Sequence, residues 1–304
     1  MPGVLSTTQG THRGAFTPTD WALFLTIGLV WGSSFLWIAY GLDRFEPGLI
    51  TWWRIGAGAL ALWSVPAART PVAREDRPRL IALSFLWVGV PFTLLPLAQS
   101  LGVTSAVNGM LNGALPVLAV LVGSFMLRRG PTRPQIAGLV LGSAGIAMIA
   151  LPASGEGSSE ATGVLLTLGA VCCYAFAINI AAPLQQKYGS LPVMARMLAL
   201  ATVWTAPFGV SSLGSSSFGW GPALAVTILG VAGTGLAFVL MGILVGRVGG
   251  PRASFATYLI PVVALALGVV LLHEHVAAVS IGGAGLVITG AVLASRADRR
   301  AAPG

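Results

Sequence analysis

Charge is what this chain has least of. Only 9% of its 304 residues are Asp, Glu, Lys or Arg, against 55% hydrophobic, whereas soluble domains carry roughly 25% charge. So few charges cannot hydrate a surface of this size, and with a mean hydropathy of +0.85 a water-soluble fold is excluded. The solvent is a lipid bilayer. Acids are scarcer than bases. The nine are Asp20, Asp43, Glu46, Glu75, Asp76, Glu156, Glu160, Glu274 and Asp298, all outside or at the ends of the long apolar runs, which disfavours cation extrusion by proton exchange at a buried carboxylate. The two cysteines, Cys172 and Cys173, lie inside an apolar run and are too few for a disulfide framework. Histidine occurs only at 12, 273 and 275. The pair in His273-Glu274-His275 would sit about 200° apart on a helix, not on one face as zinc hydrolases require. There is no Gly-x-x-x-x-Gly-Lys-Ser loop for ATP. No metal, no cofactor and no enzyme activity are expected.

What is present is apolar length. A helical crossing needs about 20 apolar residues, and ten such stretches emerge, at 21–41, 48–66, 80–101, 105–127, 135–151, 161–182, 191–210, 221–246, 253–272 and 276–295. The chain is therefore expected to be an all-α integral membrane protein with ten transmembrane helices. Residues 1–20 read as a polar cytoplasmic tail ahead of a first helix that is retained, and 296–304 as a basic cytoplasmic tail. The net charge of +8 does not signal nucleic acid, because the bases fill short gaps between apolar runs. With the N-terminus inside, every Lys and Arg falls on the cytoplasmic side except Arg44, which lies outside, and Arg54 and Arg196, which lie within spans. Positive residues collect on the cytoplasmic side of the inner membrane, so both termini are expected there.

Pro116 aligns without gaps onto Pro261, 145 residues on. The shift pairs PVLAVLVGSFML with PVVALALGVVLL and carries Gly138 and Gly145 onto Gly283 and Gly290. This is a duplication, with halves at 21–151 and 161–295 joined by an outer linker, 152–160. Five spans per half is an odd number, so the second half enters the membrane inverted. The turn after the first proline helix is accordingly basic, Arg128-Arg129, and after the second is His273-Glu274-His275. Inverted repeats are the architecture of alternating-access carriers.

Several motifs add a resemblance covering about Trp21 to Ala294. They are Trp31-Gly32-Ser33-Ser34-Phe35, the arginine of Trp52-Trp53-Arg54-Ile55, Thr104-Ser105-Ala106 through Pro116, and Arg252-Ala253-Ser254 through Tyr258-Leu259-Ile260-Pro261, closing on Glu274. The chain resembles the EamA family of the drug/metabolite transporter superfamily. It departs where that family usually has Gly-Glu after the first proline helix and this chain has Arg128-Arg129-Gly130. The resemblance implies a ten-helix carrier of small metabolites, often an exporter.

Charged and polar groups at membrane depth are costly and mark candidate sites. Arg54 and Arg196 occupy corresponding helices of the two halves, each either a snorkelling anchor or a contact for substrate or gate. Asn108 and Asn112 share one helix face running to Pro116, and Thr257 shares a face with Pro261. Either set bonds between helices or lines a cavity. Trp31, Ser34, Trp53, Tyr174, Asn179 and Tyr258 complete the candidate cavity, with packing as the competing role. Glu274, at a helix end, reads as a solvated acid. Pro116 and Pro261 are candidate hinges, each freeing the carbonyl four residues earlier, on Asn112 and Thr257. The expected function is secondary export of a small organic metabolite such as an amino acid. The alternatives are a flippase for a lipid-linked anion and a proton-coupled metabolite importer. Coupling proton or ion, and oligomeric state, stay open.

Overall fold

The computed structural model describes residues 10–11, 15–126, 133–153 and 158–300. The expected basic turn Arg128-Arg129-Gly130, His12, Arg13 and Glu156 lie outside the described residues. Helix is the regular structure throughout them. The chain is folded into helical segments that begin at prolines or capped starts and end at glycines or short turns. Helix α1, Pro18–Leu42, opens with a capping box, Thr17 and Asp20 each bonding the other's backbone N–H, and with Pro18 in its first turn. Helix α2 is Pro47–Trp63, α3 Arg74–Ser100, α4 Ser105–Met126, α5 Arg133–Ala153 and α6 Ser158–Tyr188. Helix α7 is Ser190–Ser211, α8 Trp220–Val248, α9 Ser254–Leu271 and α10 Ala278–Arg300. A single glycine separates α6 from α7 and α8 from the turn leading into α9. These are Gly189 and Gly249, at φ +76° and +82°, where a Cβ would be strained.

Seven of these helices are long and apolar enough to cross a membrane. Three are shorter: α2 has 17 residues, and the apolar parts of α5 and α10 are Ile136–Pro152 and Ala278–Gly290. The protein is thus all-helical and multi-pass.

The elements repeat at the same 145-residue shift as the sequence. Helix α3 contains a π-helical stretch at Ser84–Gly89 and α8 one at Leu229–Leu236. Helix α4 is interrupted at Gly113-Ala114 and resumes at Leu115. Its counterpart passes through a 3-10 turn, Ser254–Tyr258, and resumes at Leu259. Pro116 and Pro261 therefore do not sit inside continuous helices. They occupy the first turn of a resumed segment, where a missing N–H costs nothing.

Packing repeats too. Helix α1 lies against α8 and α9 as α6 lies against α3 and α4, while α2 pairs with α7, α4 with α9 and α5 with α10. The α5–α10 pair is antiparallel and reciprocal. A Cβ added at Gly145 would come 2.5 Å from Gly283 O, and one at Gly290 would come 2.5 Å from Gly138 O. The identities at Gly138/Gly283 and Gly145/Gly290 are thus the two ends of one self-complementary contact between small residues. At one end of the bundle, Arg247 of α8 holds the buried Asp20 of α1 at 2.6 Å. At that end too, Lys187 of α6 holds Glu75 and Asp76 at the start of α3, at 3.0 and 2.8 Å.

Gly145→Ala is expected to lower stability by about 1–3 kcal/mol through overpacking, read as a lower Tm of the purified protein in detergent. Gly285→Ala, whose Cβ would meet nothing within 4 Å, should leave Tm unchanged or slightly raised. Equal Tm values for both variants would show that the α5–α10 contact is not tight.

Candidate functional site

Seven helices, α1 to α4, α6, α8 and α9, contribute side chains to one central cavity of about 40 Å3, smaller than the roughly 300–1,000 Å3 usual for open small-molecule sites. Its wall is mostly apolar. Phe238 of α8 stands among Trp31, Trp87 and Phe92, with ring centroids at 5.2, 5.4 and 5.6 Å and edge-to-face geometry. Trp31 is fixed by its indole N–H, which donates to Gly233 O at 3.0 Å in the π-helical stretch of α8. Ser34 follows the bend at Ser33, and its hydroxyl donates back to Val30 O at 3.2 Å.

Arg54 supplies the cavity's charge. It is 2% exposed, its Nε–H donates to Thr234 Oγ1 at 3.2 Å, and its guanidinium carbon lies 3.6 Å from the centroid of the Phe92 ring. Thr234 can accept because its own hydroxyl proton is directed to Leu229 O. Among the described residues no carboxylate pairs with Arg54, and no acid lines the cavity. Guanidinium has five N–H donors, so four remain for a ligand. A cation over an aromatic face in a desolvated site is held by the ring quadrupole without being neutralised.

The structure brings Trp31, Ser34, Arg54, Asn112, Tyr174 and Thr257 together around this cavity. The other candidates lie elsewhere. Asn108 is fully enclosed, its amide donating to Leu95 O and accepting from Thr167 Oγ1 at 3.0 Å. Asn179 donates to Ala119 O and Ala175 O, both at 2.9 Å, joining α6 to α4. Trp53 stacks on Phe45 and donates to Thr227. Tyr258 stacks on Phe255. Arg196 donates to Ala68 O, Arg69 O and Pro192 O and lies 5.6 Å from the Trp63 ring centre, at the end of the bundle. The two span arginines are therefore not equivalent. The 145-residue shift carries Arg54 onto Ala199 and Arg196 back onto Thr51.

Glu274 also differs from its reading as a solvated acid. Its carboxylate accepts the backbone N–H groups of Ser105 and Ala106 at 2.8 and 2.9 Å, neutralising the positive end of α4. Trp87, Phe92 and Phe238 were not singled out by sequence, because an aromatic facing a cavity and one facing lipid look alike in a uniformly apolar run.

A family model settles what kind of protein carries this cavity, matching residues 21–151 and again 161–296 to the EamA-like transporter family. The chain belongs to that family. EamA proteins are transporters, and this one is a multi-pass membrane transporter with the EamA unit present twice. It is 28% identical, over 91% of its length and 93% of the relative's, to the "Probable terminal-alkyne amino-acid exporter" of Streptantibioticus cattleyicolor. It is 28% identical to the "Probable amino-acid metabolite efflux pump" of Salmonella typhimurium, over 89% of this chain and 93% of that one. A crystal structure with 19% sequence identity superposes with a TM-score of 0.70, covering 94% of this chain and 99% of the other, which shows a shared fold.

Because Asn108 is enclosed and Asn112 lines the cavity, the two amides should respond differently. Thr167→Val leaves Asn108 Oδ1 without its donor and should cost about 1–3 kcal/mol of stability while ligand affinity stays at the parent value. Titration of ligand into the folded variant checks this, and a weakened affinity would place Asn108 at the ligand.

Proposed function

We propose that this protein is a secondary carrier that exports amino acids or closely related carboxylate-bearing metabolites across the inner membrane by alternating access. The observation that carries the reading is the unpaired Arg54 guanidinium, held over Phe92 in an aromatic cavity with four donors to spare. An anionic group entering that space gains charge-assisted hydrogen bonds in a low-dielectric site. The aromatic wall of Trp31, Trp87 and Phe238 then takes an apolar side chain. The names of the similar exporters point to the same chemical class.

The proposed framework is ten crossings, in which α2, α5 and α10 span alongside the seven longer helices, arranged as halves 21–151 and 161–295 of opposite orientation. At about 1.5 Å per residue the 17 residues of α2 reach roughly 25 Å, close to the thickness of the hydrocarbon core. Inversion is supported by the reciprocal, antiparallel Gly145/Gly283 and Gly138/Gly290 contacts. A two-fold axis relating antiparallel neighbours runs perpendicular to them and hence in the membrane plane. The breaks before Pro116 and Pro261 are the proposed hinges, and the charge distribution supports a cytoplasmic location for both termini. Reporter fusions at Gly304 that are active only on the outer face would overturn that placement.

The substrate assignment is tested in vesicles containing the purified protein, loaded with amino acids or with the matching amines that lack the carboxylate. Amino acids should exchange and the amines should not. Arg54→Gln should lower exchange roughly 10- to 100-fold, the equivalent of the 1.5–3 kcal/mol of a charged hydrogen bond, with insertion unchanged. Equal transport of amine and amino acid would sink the role of Arg54. Movement of a lipid-linked anion with no amino-acid exchange would favour the flippase reading.

A further inference from the structure

A second cavity, of about 440 Å3, opens on the side of the bundle between α3 and α7, walled by Trp63, Arg77, Leu80, Ile81, Arg196, Ala199, Leu200 and Val203. Its polarity is graded from one end to the other. Arg77, Leu80 and Ile81 follow at helical spacing along one face of α3, as Arg196, Ala199, Leu200 and Val203 do along one face of α7. Both helices start at the same end of the bundle, where Lys187, one turn before α7, holds Asp76 at the start of α3. The two guanidiniums therefore lie together at that end, with Trp63, and the apolar residues extend from them in one direction for about 10 Å. Next to Val203, Trp204 links α7 to α3, donating to Ser84 Oγ at 3.1 Å and packing on Phe85.

The cations at the rim are not neutralised. Glu75 and Asp76 are both engaged by Lys187, and neither Arg77 nor Arg196 has an ion pair among the described residues. Arg196 uses three of its donors on backbone carbonyls, which fixes the guanidinium and leaves two donors over. The apolar wall is correspondingly open, with Ile81 41% and Val203 68% exposed.

The other half of the molecule closes the equivalent surface. Under the 145-residue shift Leu80 and Ile81 correspond to Ala225 and Val226, and Leu200 and Val203 to Ile55 and Gly58. Ala225, Val226 and Ile55 are buried, and a Cβ at Gly58 would come 2.8 Å from Gly230 O. The fold can seal this seam, with Ala225 and Gly58 where α3 and α7 carry Leu80 and Val203, and between α3 and α7 it leaves a gap.

We infer that the α3–α7 groove binds one anionic phospholipid, its phosphate between Arg77 and Arg196 and the upper part of one acyl chain along Ile81, Leu200 and Val203. A free phosphate would leave the apolar wall wet. A zwitterionic lipid would bring its own cation to a site that already has two. An anionic lipid satisfies both ends of the groove and lies within reach of a protein embedded in a bilayer.

Native mass spectrometry of the full-length protein in detergent tests this, with dioleoylphosphatidylglycerol as probe and dioleoylphosphatidylcholine as comparison. One phosphatidylglycerol adduct should persist at lipid concentrations where phosphatidylcholine leaves none. The double variant Arg77→Ala/Arg196→Ala should weaken it roughly tenfold or more. Ala199→Trp fills the groove and keeps both arginines, so it should remove the adduct as well, and it carries the test if the double variant does not fold. Arg44→Ala, beyond the opposite ends of these helices, should retain it. Equal retention of the two lipids, an adduct unchanged in the double variant or in Ala199→Trp, or its displacement by millimolar inorganic phosphate would each overturn the proposal.

Discussion

A chain in lipid has no water with which to repair a broken backbone, so every interruption of a helix has to be answered by another part of the protein. In this structure the interruptions converge on the central cavity. Trp31 and Ser34 flank the bend at Ser33, and Trp87 lies in the π-helical stretch of α3. Asn112 and Leu115 flank the break in α4, Phe238 follows the π-helical stretch of α8, and Thr257 lies in the 3-10 turn before α9. The repairs cross from helix to helix. Pro96 offers no N–H to Phe92 O, and the Thr51 hydroxyl of α2 donates to that carbonyl at 2.7 Å. Gly233 O, inside a π-helical stretch, accepts from the indole of α1. Local widening of this kind turns side chains inward that a regular ladder would direct elsewhere. The cavity is what the breaks leave, and its polar lining is in part what mends them.

Two copies of the EamA unit supply the frame, and the candidate site draws on the departures from the repeat. Every feature that repeats is architectural: the π-helical stretches, the breaks before Pro116 and Pro261, and the paired glycines of α5 and α10. Arg54 has no partner of its type across the shift, where Ala199 stands, and Arg196 has Thr51. A symmetric pair of buried arginines would repel and would double the cost of desolvation. One arginine in the cavity and one at the bundle's end avoids both penalties.

Much of this was legible in the sequence, and the rest was hidden for physical reasons. Span positions follow from the cost of placing charge in lipid, and the breaks at 113–114 and 254–258 follow from proline's missing donor. Separating Arg54 from Arg196 needed more than depth along a helix, because the azimuth and the loop carbonyls of Ala68 and Arg69 decide it. Asn108 and Asn112 share a face, yet Thr167 of α6 claims the first and leaves the second to the cavity. Glu274 looked solvated because its partners, the N–H groups of Ser105 and Ala106, belong to a helix begun 169 residues earlier. Phe238 and Trp87 gave no signal, since lipid and cavity select the same side chains.

A carrier must release what it binds, and the setting of Arg54 bears on that requirement. At an effective dielectric of about 20, a bare ion pair at 4 Å is worth about 4 kcal/mol, a factor near one thousand in affinity. Held at full strength, such a contact would make a trap of the site. Arg54 already has two partners that do not leave: the Phe92 face at 3.6 Å and Thr234 Oγ1 at 3.2 Å. Both hold the guanidinium in place when the cavity is empty, so the charge neither collapses the wall nor leaves for the interface as Arg196 has done. On the function proposed above, an entering carboxylate would compete for a cation that is partly satisfied, and it would gain the difference rather than the whole. Because Thr234 belongs to the π-helical stretch of α8 in the second half, while Phe92 of α3 shares the first half with Arg54, any rocking of one half against the other shifts Thr234 relative to Arg54. Binding strength and helix position are thereby coupled through a single side chain.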